Sequence, residues 1–472
     1  MTLLLIILFA LRRWRKSVLT LALIISISAA YAITISGTAP DYAGKKLEFL
    51  TRTDPVSGNV LPLFKLEPDG KGNFSAEVDI KAPVYCFCDM GVYRGELILT
   101  PEKNLRLTFP KLRNKSFEES KNPYFEPLEV WLQVNGGDKS ILNNQMANFD
   151  QLFYQLNDQY ITQLVYRRQK NYLDTIQKRV DMECSGYSHP VFLAHRELRF
   201  KTIEAEMTRA GREKIISTLK KSSADQWKMP AFAGLLNGLF VNTLSNESKT
   251  ITGAKIKEWI RNKNSIELKK WAMGFTSTTS PLTELLLLKM FHDAYYSGEF
   301  SKTAILGMLR SDAFLLHNDA KISSITREII SKLTFLEKGS QAPDICLPTL
   351  AGPAWCTASQ TKPYLYLLFA DLDVPICQEQ VKYLKTMVDK TGQNLQIVVV
   401  VSPAVKTDIS KFVADNQIPE IILLDKPENS FAGQYKVRAY PSAFLLDKNH
   451  RVVMAPAKTP LDGFEFQFNQ FR

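Results

Sequence analysis

The stretch from Tyr364 to Glu379 reads YLYLLFADLDVPICQE and decides the fold of the C-terminal part of the chain. Its first six residues are apolar, which indicates a buried strand. The aspartates and the proline that follow are typical of a short turn. A helix is predicted over 377–390, so strand, turn and helix come in immediate succession.

The same alternation continues towards the C-terminus. Apolar runs predict strands at 395–401 and 420–424, with a helix between them. Tyr440 and Pro441 form a turn that enters a further strand. Continuous apolar strands separated by helices are typical of a mostly parallel sheet that is covered on both faces. Residues 339–472 are therefore predicted to form one α/β domain.

The beginning of this domain contains a predicted hairpin with a cysteine on each strand. Cys346 and Cys356 are symmetric about the turn at Leu350–Pro353. Residues that face each other on antiparallel strands have Cβ atoms roughly 4.5–5.5 Å apart, and slight relaxation would allow a disulfide. A structural disulfide is one interpretation, and two buried free thiols are another. A displaced redox pair is a third, although no predicted helix N-terminus lies there to stabilise a thiolate.

The rest of the chain falls into two regions of different period. Residues 33–112 contain short alternating runs punctuated by Pro, Gly and Asp, which predict an antiparallel β-sandwich. From 113 to 338 the apolar residues recur at helical spacing, as at Phe149, Leu152 and Phe153, which predicts an all-α domain. The chain is therefore predicted to be an α+β multidomain protein.

Residues 1–32 have the features of an export signal. A basic cluster from Arg12 to Lys16 precedes an uncharged run, Ser17 to Ala32, that ends in Ala-x-Ala. This order is typical of a secretory signal peptide. If the segment is not cleaved, it is just long enough to anchor the protein in a membrane. An exported protein meets conditions in which disulfides persist.

Composition and motifs narrow the function classes. The net charge is +11, but four basic residues lie in the export segment and no other basic tract is present, so we predict no nucleic-acid partner. Cys86 and Cys88 lie on one strand face, but no histidine has zinc-site spacing, so no metal is predicted. Cys184 is expected to be a free thiol. The chain has no P-loop, G-x-S-x-G or EF-hand motif, and no cofactor is predicted.

Several segments of the C-terminal domain resemble the TlpA-like thiol-disulfide oxidoreductases, thioredoxin-fold proteins of bacterial envelopes. Gly339-x-x-Ala342-Pro343-Asp344 resembles the family's opening, and Phe369–Glu379 resembles its active-site turn, F-x-D-P-x-C-P-x-C-x-E. Val437–Pro441 resembles the segment with the family's cis-proline, and Asp447–Asn449 resembles the turn after the next strand. The resemblance implies a C-terminal thioredoxin-like α/β domain behind a β-domain and a helical region. It also implies a periplasmic or cell-envelope location in a Gram-negative bacterium.

The active-site turn departs from this family at one position. Val374 stands where the family has the first cysteine of Cys-x-x-Cys, and Cys377 stands at the second. In such sites the first cysteine attacks as a thiolate, whose pKa is lowered at the helix N-terminus, and the second resolves the mixed disulfide. Val374 has no ionisable group. The resemblance therefore implies a degenerate site, with Cys377 as a vestigial resolving cysteine and Pro441 as the cis-proline that faces the turn.

Two functions follow from these observations. One is a non-catalytic envelope protein that binds another envelope protein or a peptide at the thioredoxin groove. The other is a thiol-disulfide oxidoreductase with residual single-cysteine activity through Cys377. Val374 and the large helical region, which ordinary reductases do not need, favour the first.

Overall fold

The computed structural model of the protein describes residues 32–101, 104–207, 212–223, 225–403, 405–418, 421–426 and 430–471. The predicted export signal therefore lies outside the described residues, apart from Ala32 at its end. Backbone contacts divide the chain into two compact units. Unit 1 comprises the described residues up to Arg113 together with Pro127–Ile329, and unit 2 comprises Asn114–Glu126 together with Ile330–Arg472.

Unit 1 begins with β-structure. Its strands are β1 Ala32–Thr38, β2 Leu47–Arg52, β3 Val60–Leu66, β4 Asn73–Asp79, β5 Val84–Met90, β6 Tyr93–Leu99, β7 Leu105–Thr108, β8 Leu128–Trp131 and β9 Gln133–Val134. They form two sheets, with strand orders β4-β1-β7-β9 and β3-β2-β5-β6-β8. Alternate strand residues such as Ile35, Phe49 and Leu97 are buried in one hydrophobic cluster to which both sheets contribute.

Two strand pairs in these sheets are parallel. β1 runs parallel to β7, and β6 runs parallel to β8. The prediction of a purely antiparallel arrangement was wrong at these pairs, because parallel neighbours are joined by long crossovers that local alternation does not reveal. β8 and β9 also lie beyond residue 112, so β-structure extends past the predicted start of the helical region.

The remainder of unit 1 is helical. The helices are Leu142–Ile161, Lys170–Glu183, Pro190–Met207, Arg212–Lys221, Pro230–Phe240, Thr243–Glu247, Gly253–Arg261, Ser265–Thr276, Leu282–Tyr296, Lys302–Leu309, Asp312–Leu315 and Ala320–Leu333, whose last residues belong to unit 2. Phe149 and Phe153, four residues apart, are buried in one cluster, as the helical period predicts. Among the described helices, none is both long and apolar enough to cross a membrane.

Unit 2 is built on a five-stranded mixed sheet. The strands of unit 2 are β10 Cys346–Pro348, β11 Ala354–Cys356, β12 Tyr364–Ala370, β13 Leu395–Val401, β14 Ile421–Leu424, β15 Ser442–Asp447 and β16 Val452–Ala457. Its helices are Phe117–Lys121, Pro375–Thr391, Ile409–Asp415, Phe431–Gln434 and Phe464–Phe471. The sheet order is β14-β13-β12-β15-β16, and β10 pairs with β11. β12, β13 and β14 are parallel, whereas β15 and β16 are antiparallel to their neighbours. The predicted α/β alternation is confirmed, but the sheet is mixed rather than mostly parallel.

The central strand β12 is buried on both faces. Tyr366 and Leu368 lie in one hydrophobic cluster, and Leu367 and Phe369 lie in another. This double burial explains why the run is continuously apolar. The turn from β12 to the helix Pro375–Thr391 lies at the carboxyl end of the central strand, where open α/β sheets place their binding sites.

Candidate functional site

The site is the turn that joins β12 to the following helix. The backbone N–H of Val374 donates to the carbonyl of Asp371 (3.0 Å), and the Val374 carbonyl accepts from the N–H of Cys377 (2.9 Å). Val374 thus immediately precedes the helix, and Pro375 is its first residue. Proline suits this position because its missing N–H would have had no helical partner. Val374 is half-buried, and a branched apolar side chain occupies the place where a nucleophile would gain most from the helix dipole.

Cys377 is fully buried in the first turn of this helix. Its exposed fraction is 0%, and it belongs to the hydrophobic cluster on one face of the sheet. Burial raises the pKa of the Cys377 thiol, although the backbone N–H of Asp371 opposes this effect. A buried thiol with a raised pKa is a poor nucleophile because little thiolate is present and no partner can reach it.

Asp373 fixes the conformation of the turn. One carboxylate oxygen accepts hydrogen bonds from the backbone N–H of Lys406 (2.9 Å) and from the N–H and hydroxyl of Thr407 (2.9 Å each). The Thr407 hydroxyl also lies 3.0 Å from the carbonyl oxygen of Leu372. Burial raises the pKa of Asp373, but the hydrogen bonds from Lys406 and Thr407 outweigh burial and lower this pKa to about 2. The turn is therefore held by a permanently ionised carboxylate.

Asp371 is a second carboxylate at the turn, and it is almost completely buried. Its exposed fraction is 3%. One oxygen accepts the backbone N–H of Asp373 (3.0 Å), and the other lies 2.5 Å from Nζ of Lys121. Lys121 Nζ is also 3.3 Å from Asp373. A buried charge is tolerated only when it is paired, so Lys121 is the group that compensates Asp371 within unit 2.

Pro441 immediately precedes β15, the strand that neighbours β12. The Tyr440–Pro441 peptide bond is cis. Ser442 pairs with Phe369, so Pro441 is level with the end of β12. Tyr440 packs against the cluster that contains Cys377. Burial raises the pKa of Tyr440 to about 12, opposed by its hydrogen bond with Ser402.

Residues 114–126 lie on this surface of unit 2. Lys406 Nζ is 4.3 Å from the centroid of the Phe117 ring, and the Arg438 guanidinium is 5.5 Å from that of Tyr124. Arg438 also donates a hydrogen bond to the carbonyl of Pro123. The segment therefore touches both the turn, through Lys121, and the stretch that leads to Pro441, through Arg438.

The cysteines divide into one disulfide pair and four residues that are not in a disulfide. Cys346 and Cys356 face each other in the register of β10 and β11, and they form a disulfide, which is the first of the three interpretations that the sequence left open. The four cysteines outside the disulfide are all buried: Cys86, Cys88, Cys184 and Cys377. Burial raises the pKa of Cys86 well above its ordinary value, and the charge of Cys88 adds to this effect. These positions are therefore core positions in unit 1 or in the site just described.

A separate buried polar cluster lies in unit 1. Asp150 accepts from the indole N–H of Trp131 (2.7 Å) and lies 2.8 Å from Nε2 of His195. The hydroxyl of Tyr85 donates to Glu96 (2.5 Å). Burial raises the pKa of Glu96 to about 7, while the Tyr85 hydrogen bond opposes this shift. The cluster connects strands β5, β6 and β8 to the helices Leu142–Ile161 and Pro190–Met207.

Two features of the site have no counterpart in the sequence analysis. Lys121 was not expected near the turn, and Arg438 was not expected to contact Pro123, because nothing local in the sequence indicates a partner hundreds of residues away. The capping box Ser116-x-x-Glu119, whose side chains both hydrogen-bond to the opposite backbone N–H, does mark the short helix. Within the described ranges, no group of three or more His, Cys, Asp and Glu side chains could hold a metal ion.

Residues 338–455 match the AhpC/TSA family. This match and the strand order of unit 2 identify a thioredoxin-fold domain at the C-terminus. None of the curated proteins matches the chain.

Solved structures of thiol-disulfide oxidoreductases are similar over part of the chain. A candidate thiol:disulfide interchange protein DsbE from Chlorobium tepidum is 26% identical, with 29% of this chain and 95% of that chain covered and a TM-score of 0.25. The thioredoxin domain of a thiol-disulfide oxidoreductase from Bacteroides vulgatus is 18% identical, with 29% and 97% covered and a TM-score of 0.26. A thiol:disulfide interchange protein from Bacteroides sp. is 18% identical, with 29% and 90% covered and a TM-score of 0.25.

Proposed function

We propose that this chain is an exported, non-catalytic member of the TlpA-like group whose thioredoxin-fold domain binds polypeptides of the cell envelope. The observation that carries the proposal is that the turn has Val374 at the first position of the motif and a fully buried Cys377 at the second. A dithiol exchange reaction needs an accessible thiolate as the attacking group. Neither residue supplies one.

The rest of the turn is ordered, which supports a binding function rather than a site that has lost its structure. Asp373 is held by three hydrogen-bond donors, and Asp371 is paired with Lys121. Ile376 is 49% exposed beside the buried Cys377. A polypeptide that covered this side chain would remove apolar surface from water, which favours binding.

Two observations support an envelope location. The disulfide between Cys346 and Cys356 is of a kind that persists in oxidising compartments. Residues 1–32 have the sequence features of an export signal. Whether that segment is removed or anchors the protein, unit 2 would work outside the cytoplasm.

The alternative is residual redox activity through Cys377 alone. It requires the first turn of the helix Pro375–Thr391 to open, because the sulfur is buried within the hydrophobic cluster. Native-state thiol labelling separates the two functions, since only an opening turn exposes Cys377.

The experiment combines an activity assay with a binding assay on the full chain. We expect no insulin-disulfide reduction above background. Binding is measured by fluorescence anisotropy with labelled, reduced and carboxymethylated α-lactalbumin, a soluble unfolded polypeptide. We expect Ile376→Arg to weaken this binding by at least about tenfold, because a charge would enter the apolar part of the surface. The matched control is Ile251→Arg, since Ile251 is fully exposed in unit 1.

Clear catalytic turnover of insulin by the wild-type chain would contradict the proposal. Binding that is absent, or that Ile376→Arg and Ile251→Arg affect equally, would contradict it as well, because the polypeptide would then not use the surface at the turn.

A further inference from the structure

The segment 114–126 belongs to unit 2, whereas the chain immediately before and after it belongs to unit 1. Its short helix, Phe117–Lys121, is closed at its start by the Ser116–Glu119 capping box, with hydrogen bonds of 2.7 and 3.1 Å. A five-residue helix is too short to be stable by itself. Its order must therefore depend on the surface on which it lies.

The strongest contact of this segment is the one between Lys121 and Asp371. The lysine side chain is 20% exposed and the aspartate side chain 5% exposed. Lys121 also reaches Asp373 at 3.3 Å, so one ammonium group bridges both carboxylates of the turn. Removing one member of an ion pair that is shielded from solvent to this extent leaves a buried charge uncompensated, which costs more than breaking a surface pair.

Two other contacts of this segment are cation–π interactions. Phe117 lies against the Nζ of Lys406, and Tyr124 lies against the guanidinium of Arg438. Cations placed over aromatic faces attract the ring electrons. The surface of unit 2 thus offers a buried carboxylate for a lysine and two exposed cations for aromatic rings.

We propose that residues 114–126 are an intramolecular ligand of the polypeptide-binding surface, and that an external partner must displace them. The partner that fits is a polypeptide that presents a lysine to Asp371 and an aromatic ring to Lys406 or Arg438, in imitation of Lys121, Phe117 and Tyr124. This inference rests on the proposed function, because it assigns an occupant and a competitor to the same surface.

Displacement has a measurable consequence. When a site is free for only a fraction of the time, the apparent affinity for an external ligand falls by that fraction. Weakening the internal segment must therefore strengthen external binding. Lys121→Ala removes the ion pair and keeps a residue with high helix propensity.

The first measurement is the binding of labelled, carboxymethylated α-lactalbumin to the full chain. We expect Lys121→Ala to bind it about tenfold more tightly than wild type, which is the order of change expected when a partly buried charge pair is lost. The matched control is Lys382→Ala, because Lys382 pairs with Glu379 at 2.9 Å in an exposed ion pair of unit 2. That variant should bind as wild type does.

The second measurement needs no partner. Hydrogen exchange, read by mass spectrometry, follows the amides of Ser120 and Asn122, which donate to Ser116 and Glu118. We expect Lys121→Ala to speed exchange in residues 114–126 by about tenfold, with no change for Lys382→Ala. Saturating carboxymethylated α-lactalbumin should speed exchange of the same segment in the wild-type chain.

The outcomes separate this inference from the proposed function. Binding that depends on Ile376 but is equally strong in wild type and Lys121→Ala, with unchanged exchange in 114–126, overturns the intramolecular ligand and leaves the proposed function intact. Binding that is absent from both proteins overturns the proposed function and, with it, the external competitor.

Discussion

One carboxylate oxygen of Asp373 lies 2.9 Å from the backbone nitrogen of Thr407, 34 residues further along the chain. This contact ties the turn after β12 to the loop after β13. The turn therefore keeps a fixed shape, although the position that follows Asp373 is a valine. A chain that had only lost its nucleophile would retain such a scaffold, and this can be tested by restoring the thiol.

Val374→Cys should create a working dithiol with Cys377. The new thiol would stand directly before the helix Pro375–Thr391, where the helix N-terminus lowers a thiol pKa. We expect insulin-disulfide reduction at least about tenfold above the wild-type background. Val374→Ser is the control, and the activity should disappear in Val374→Cys/Cys377→Ser. A folded Val374→Cys protein without activity would show that the turn has diverged beyond the nucleophile.

Native-state alkylation should leave Cys377 unlabelled at neutral pH. The four cysteines outside the disulfide are buried, and burial raises the pKa of Cys377. We expect labelling at least about a hundredfold slower in the native chain than in the denatured chain. Digestion and mass spectrometry locate the label. If Cys377 reacted as fast as an exposed thiol, or were found in a mixed disulfide, the single-cysteine function would be supported instead.

Removal of the Cys346–Cys356 disulfide should affect stability. The bridge closes a loop with a sequence separation of 10. The chain-entropy relation gives a loss of about 2–3 kcal/mol in the free energy of unfolding for Cys346→Ser/Cys356→Ser. Urea denaturation followed by circular dichroism measures this loss. Dithiothreitol should shift the wild-type transition by a similar amount and leave the variant unchanged, and equal sensitivity in both proteins would refute the interpretation.

The stability of unit 1 should fall as the pH rises towards neutrality. Burial raises the pKa of Glu96 to about 7, against the hydrogen bond from Tyr85, and the charges of Glu129 and Asp150 add to the effect of burial. A raised carboxyl pKa favours the folded state below the unfolded value, and this contribution is lost as the pH rises through 7. The full difference is about 3 kcal/mol.

Glu96→Gln should remove this dependence. The amide cannot ionise, and its oxygen can still accept the Tyr85 hydroxyl. We expect the urea midpoint of the wild-type chain to decline between about pH 5 and pH 8 and that of the variant to stay nearly constant. Parallel curves for the two proteins would show that Glu96 does not titrate in this range. Asp150 does not interfere, because its pKa is lowered and it titrates below this range, with His195 and Arg199 opposing the effect of burial.

The parts of the fold that the sequence predicts are those with a strong local signal. The run from Leu395 to Val401 is apolar at every position except Gln396 and is a buried strand. Phe149 and Phe153, which carry the helical period in the sequence, are buried on the helix Leu142–Ile161. The pairing of Cys346 with Cys356 follows from the symmetry of a short hairpin. In each case, the residues that decide the structure are near each other in sequence.

The parts that the sequence does not predict depend on distant partners. β8 pairs in parallel with β6, and the four residues of β8 have no alternation long enough to identify a strand. Lys121 is one of many lysines in a polar stretch, and its buried partner is 250 positions away. The cluster of Glu96, Asp150 and His195 gathers residues from a sheet and two helices. These contacts depend on matching shape, charge and hydrogen-bonding groups between residues that are far apart in sequence, so they can be seen only in the folded structure.

Unit 2 is built from two separate stretches of the chain, 114–126 and 330–472, and the first is synthesised long before the second. Lys121 emerges from the ribosome 250 positions ahead of Asp371, and an exported chain would also cross the membrane in this order. The entropy cost of closing a loop grows only slowly with its length, so such a separation is not prohibitive. The segment can therefore dock only after the later residues Asp371, Lys406 and Arg438 have been made and folded. Because Lys121 belongs to the same chain, it can bind Asp371 as soon as the surface has folded, before an external polypeptide arrives.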